Sequence, residues 1–185
     1  MSLRTLSSAA CSVLLAATAL AQQPGMNMGA GHAQAMPSPP ATTSVTLAGQ
    51  TLTINYHAPS LRSRHLGGPE IVPWNTIWRT GANDATTLLT PIPLHIGTLL
   101  VPAGTYTLYT LPTPSKWMLI VNKQTGQWGT EYHPEQDLGR IELKSHTLPG
   151  PQEVMSLSFD DIKKDSAELH IRWETTDESI KISTP

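Results

Sequence analysis

One cysteine, one phenylalanine and no long apolar run after the N-terminal segment are the first things this chain of 185 residues shows by default. The cysteine is Cys11, inside a stretch with the marks of a secretory signal: an early cation at Arg4, an apolar run from Ala9 to Leu20, and small residues at Ala19 and Ala21. The run is too short and alanine-rich to span a bilayer, and none later reaches the required length. The sequence therefore predicts a signal peptide over residues 1–21, cleaved after Ala21, and an exported protein, periplasmic or secreted. Cys11 is a poor lipoprotein site, because the apolar run mostly follows it.

Removal of that segment leaves no thiol, so neither disulfides nor cysteine chemistry are open to the mature chain and a packed core has to hold it together. Residues 22–185 suffice for one domain of ordinary size and are few for two. Charge of one sign is lacking as well. With 12 basic and 14 acidic residues in the full chain, no basic cluster is available for nucleic acid or an anionic membrane.

Catalytic signatures are equally scarce. The chain has no His-Glu-x-x-His helix, no Gly-x-Ser-x-Gly elbow, no phosphate-binding glycine loop and no cysteine pair. Its seven histidines are scattered as His32, His57, His65, His95, His133, His146 and His170, without the close spacing that proposes a metal site.

What is present begins with residues 22–43, rich in Gly, Ala, Pro, Gln and Met, without apolar periodicity; they read as a disordered leader. Met26, Met28, His32 and Met36 supply thioether and imidazole groups, the ligand set that copper(I) prefers, and resemble the methionine- and histidine-rich tails of bacterial copper-handling proteins. A spacer of accidental composition explains the same residues without a metal. No other cofactor is expected.

From Ser44 onward, short alternating apolar and polar runs are separated by Gly and Pro, the pattern of strands with one wet and one buried face. Val45–Leu47 and Leu52–Tyr56 flank Gly49-Gln50 as an opening hairpin. Ala58 to Pro73 breaks the pattern as a long loop carrying Arg62, Arg64 and His65. Trp117–Val121 is nearly all apolar and fits a central strand covered on both faces. About ten short strands without a convincing helix predict an all-β fold, an antiparallel β-sandwich over residues 44–185, with the jelly roll among the arrangements that fit. Inward positions on the alternation are Leu47, Leu52, Ile54, Tyr56, Leu108, Leu119, Val121, Ile141, Leu143, Leu157, Phe159, Leu169, Ile171 and Trp173.

The chemistry concentrates in Trp74 to Thr87, where large apolar anchors stand beside Arg79, Asn83, Asp84 and Thr86. A second glycine- and aromatic-rich loop carries Trp128, Glu131 and Tyr132. These groups either interlock as a clamp for loops without disulfides, or face a cleft in which Arg79 pairs with an anionic or polar ligand while Trp78 or Trp128 stacks on it. Asp84 and Glu131 are also the one carboxylate pair beside tryptophans that suits glycoside hydrolysis, provided they lie about 5–10 Å apart.

The blocks Trp78-Arg-Thr-Gly-Ala-Asn-Asp-Ala-Thr-Thr, Pro102-Ala-Gly-Thr-Tyr-Thr-Leu and Trp128-Gly-Thr-Glu-Tyr resemble, in order, the three signature blocks of an exported bacterial family, domain of unknown function 2911. Asp84 stands where that family tends to carry glutamate, Pro73-Trp74-Asn75 replaces its Pro-Tyr-Gly, and Arg64-His65-Leu66-Gly67 matches a further segment loosely. The resemblance implies an exported domain and no established activity. Three functions follow as expectations. The first is a noncatalytic domain binding a small polar or carbohydrate ligand or an envelope protein; the alternatives are a copper-handling protein and a carbohydrate-active hydrolase.

Overall fold

Two adjacent residues with positive φ, Ala48 at 48° and Gly49 at 78°, reverse the chain between β1 (Pro40–Leu47) and β2 (Gln50–His57). Positive φ at both central positions makes the tight turn whose twist matches paired strands. The turn falls one residue before the Gly49-Gln50 expected for it, because Gln50 already pairs with Leu47. β1 also starts at Pro40, inside the segment read as leader. Residues 40–43 are partly exposed on an edge strand, so their pairing with β2 leaves no apolar alternation in the sequence.

The computed structural model describes residues 37–185. The signal segment and Met26, Met28, His32 and Met36 lie outside the described residues. Beyond β2 come β3 (Thr87–Thr90), β4 (Leu94–Ile96), β5 (Leu99–Val101), β6 (Gly104–Pro112), β7 (Trp117–Asn122), β8 (Asp137–Glu142), β9 (Lys144–Asp160) and β10 (Ser166–Ser183). Among the described residues the only helical piece is a three-residue 3-10 turn at Pro134–Gln136, and no helix is long and apolar enough to cross a membrane.

The strands form two antiparallel sheets, of six strands in the order β1-β2-β3-β6-β7-β8 and of four in the order β5-β4-β10-β9. The sandwich is as expected. Its strands mostly pair with their sequence neighbours as hairpins, which differs from the interleaved Greek keys of a jelly roll. One apolar core joins the inner faces, and every inward position read from the alternation is buried in it. Across the two sheets, the Leu157 amide donates to Tyr56 Oη at 3.2 Å.

Not all strands are short: β9 has 17 residues and β10 has 18. β10 bends back on itself around Glu174, whose φ is 54°. A straight strand advances about 3.3 Å per residue, yet Asp177 bonds His170 at 2.7 Å and the Thr184 amide reaches the Asp165 carbonyl at 2.9 Å.

Candidate functional site

The stretch from Trp74 to Thr87 leads into β3 and continues the six-stranded sheet beside β6, past the Thr87–Thr107 pair at which β3 begins. The Asn75 amide donates to the Pro112 carbonyl at 2.8 Å, and Trp78 and Thr110 exchange both backbone bonds at 2.8 Å. Between Trp78 and Thr86 the chain loops outward through Thr80 and Asn83, with φ of 52° and 56°. Such a φ is strained for a β-branched residue. Thr80 is held there by complete burial, by its hydroxyl on Thr110 Oγ1 at 3.3 Å, and by the Thr86 hydroxyl donating to its carbonyl at 3.0 Å.

This loop interlocks with the one carrying Trp128. Asp84 and Trp128 form an antiparallel bridge, Ala85 N–H donates to the Gln127 carbonyl at 3.3 Å, and Gly129 N–H donates to the Asn83 carbonyl at 3.1 Å. The second loop then folds over the outer face of β6 and β7. The Tyr109 hydroxyl donates to the Glu131 carbonyl at 2.7 Å, and the Asn122 amide to the His133 carbonyl at 2.9 Å. That cover is why β7 is buried on both faces although it is next to last in its sheet, not central as its apolar run suggested.

A cavity of about 600 Å³ lies between the two loops. Ile71, Val72, Pro73 and Ile77 make one side, Tyr109, Gly129, Thr130 and Tyr132 the other. The one charged side chain in the wall is Arg79. Its stem passes over Gly129, its Nε is buried without a hydrogen-bond partner, and among the described residues it makes no ion pair. Burial disfavours the charged guanidinium and lowers its pKa. Arg79 also borders an adjoining cavity of about 220 Å³ together with Arg64, whose guanidinium is held by the carbonyls of Leu61 at 2.9 Å and Ser60 at 3.0 Å.

Residues 38–182 match the model of the family described as "Protein of unknown function (DUF2911)". The chain belongs to that family. The matched range runs from the residues just before β1 to Ile182 in β10, so both walls of the cavity are parts of the DUF2911 domain. No curated protein and no solved structure matches the chain.

In this DUF2911 domain the expected site residues separate into three groups. Arg79, Tyr132 and part of Trp78 line the cavity. Thr86 and Asn83 are clamps, the latter through its bond to Gly129 and a side-chain bond to the Ser38 carbonyl at 3.3 Å. Trp78 is chiefly a core residue: 9% exposed, it stacks on Trp173 at 5.6 Å, meets Trp117 edge-on at 6.0 Å and donates from Nε1 to the Gly81 carbonyl. It has no free face for a ligand ring.

Asp84, Trp128 and Glu131 form the third group, exposed and outside the cavity lining. Their backbones adjoin, so the carboxylates of Asp84 and Glu131 are not at opposite ends of the sandwich. Among the described residues, however, no carboxylate lines the cavity, and an acid–base pair for glycoside cleavage has to flank the bond it breaks. No group of three or more His, Cys, Asp or Glu suited to a metal occurs among the described residues.

Tyr132 turns its ring edge to Tyr109 at 5.0 Å while its hydroxyl donates to Asp137 Oδ2 at 2.7 Å and accepts from Arg140 at 2.7 Å. Burial first, then the bond to Asp137, pushes its pKa up to about 12. It is a neutral, positioned wall of the cavity. Tyr109, Ile71 and Ile77 were not foreseen as site residues. For Tyr109 a signal existed: it lies on the outer phase of β6, opposite the core residues Tyr106 and Leu108, where an aromatic side chain needs a cover.

Proposed function

We propose that this protein is an exported, noncatalytic binding domain whose cleft takes a small ligand carrying a carboxylate on an apolar body. The observation that supports this reading is Arg79. The side chain is part-buried, its Nε is withdrawn from water without a partner, which is costly, and a bidentate carboxylate is the complement of the planar guanidinium fork. The walls around it are isoleucine, valine, proline and tyrosine rings, which suit an aliphatic or aromatic body, and a volume of about 600 Å³ falls in the range of small-molecule sites. Export rests on the signal character of residues 1–21.

The test is calorimetric titration with a panel of aliphatic and aromatic monocarboxylates, each beside its neutral amide. The expected result is saturable binding of acids, at least tenfold weaker binding of the amides, and loss of acid binding in Arg79→Met, whose melting temperature without ligand is not below that of the parent. Equal binding of acids and amides, or acid binding that survives Arg79→Met, rejects the proposal.

A further inference from the structure

A separate cavity of about 210 Å³ opens where the turn between β6 and β7, the start of β9 and the bend of β10 meet. Trp74, Trp117, Lys116, Ser145, Thr176 and Glu178 are in its wall, and most of the remaining lining is threonine and serine. The inward phase of this half of β10 continues as Ile180 and Ile182, so Glu178 is a carboxylate set on the apolar side of its strand.

Glu178 is only 2% exposed. Ser145 Oγ donates to its Oε2 at 2.7 Å, and none of the ion pairs among the described residues includes it. Its neighbour Asp177 is served quite differently, by His170 at 2.7 Å and Arg172 at 3.0 Å. Lys116, at the rim, is directed to Glu142 at 3.5 Å. His146 lines the same cavity and acts on Glu178 only through space, without an ion pair, so a buried carboxylate with one hydroxyl donor is left costly in isolation. The cavity beside it offers what a cation needs in addition: two indoles, Trp74 and Trp117, set 6.4 Å apart at 78°, and hydroxyl oxygens that accept from N–H groups.

We propose that this cavity binds a small primary ammonium ion, with Glu178 as its counter-ion, the hydroxyl groups as further acceptors and the two indoles as its aromatic walls. The cavity is smaller than those that hold drug-sized molecules, so the ligand is a short alkylamine or the amine end of a longer one. The site shares neither Arg79 nor the Trp128 loop with the carboxylate cleft.

The proposal is tested by titrating the mature chain at pH 7.5 with n-butylammonium and, separately, with n-butanol, followed by calorimetry and tryptophan fluorescence. Saturable binding of the amine, at least tenfold weaker binding of the alcohol, and a loss of tenfold or more in Glu178→Gln support it. Arg79→Met must leave the amine affinity unchanged, which separates this site from the carboxylate cleft whatever that cleft binds. Should Glu178→Gln fail to fold, Trp74→Leu takes its place, with weakened amine binding expected. Equal affinity for amine and alcohol, no saturable binding, or amine affinity unchanged in the folded variant overturns the proposal.

Discussion

Gly129 packs directly beneath the side chain of Arg79. A Cβ at position 129 would overlap Arg79 Cδ and lie 2.7 Å from the Asn83 carbonyl oxygen, which already accepts the Gly129 amide. Gly129→Ala is therefore expected to displace the guanidinium from the cavity wall and to destabilise the fold by about 1–3 kcal/mol, the usual cost of overpacking. Carboxylate binding should fall as far as in Arg79→Met while the β-sheet circular dichroism is kept. Undiminished binding would show that the stem of Arg79 does not depend on this contact.

The two tryptophans at the ends of the interlocked loops differ in kind, although both looked like ligand-stacking residues in the sequence. Trp78 is wedged between Trp173 and Trp117, whereas Trp128 is 49% exposed. Trp78→Ala should cost about 3–5 kcal/mol, in line with large-to-small core changes. Trp128→Ala should stay within about 0.5 kcal/mol, as for surface positions. Urea denaturation of both variants decides it, and equal losses would contradict this division.

The same two loops show how far the sequence could be read. Period-two alternation marked the buried face of each strand, because a strand shows alternate side chains to opposite sides and only one side met solvent. Alternation fails where a loop covers the outer face. Tyr109 and Ile120 are buried there by a segment that is close in space only after folding, so β7 looked central when it is merely covered. Within the Trp74 stretch, clamp and cleft were set against each other as alternatives. Both are realised on neighbouring residues, since Trp78 and Thr86 point into the fold while Arg79 points to the cavity. Glu178 escaped notice because the bend of β10 that closes its cavity has no turn signature beyond Glu174-Thr175-Thr176.

Tyr132 gives a pH dependence of known sign. The fold favours its neutral form, raising the pKa from the usual value near 10 to about 12. The stability this contributes is fully present below about pH 10 and is lost as pH rises through the folded value. Tyr132→Phe has no such group, so its unfolding free energy should fall less steeply than the parent's between about pH 10 and 12. Spectrophotometric titration should also show one fewer tyrosinate forming at the alkaline end in the variant. Parallel pH profiles would mean that neither burial nor the bond to Asp137 holds the proton.

Glu178 gives a pH dependence of the same sign, as the neutral form is again the one the fold favours. Burial, reinforced by Asp177 and partly offset by Ser145 and His146, raises its pKa above the ordinary 4.5. The charged form is thus disfavoured by folding. Below the unfolded value the group is protonated in both states and costs nothing further, and stability declines as pH rises through the folded value. Glutamine keeps the shape and can still accept from Ser145 but never ionises. Glu178→Gln should therefore melt above the parent at pH 7.5 and nearly with it at pH 4, as read by calorimetric scans at both values. A variant that melts below the parent at pH 7.5 would mean that the carboxylate has a stabilising partner within the fold, and the assignment of Glu178 as counter-ion for an amine would lose its physical basis.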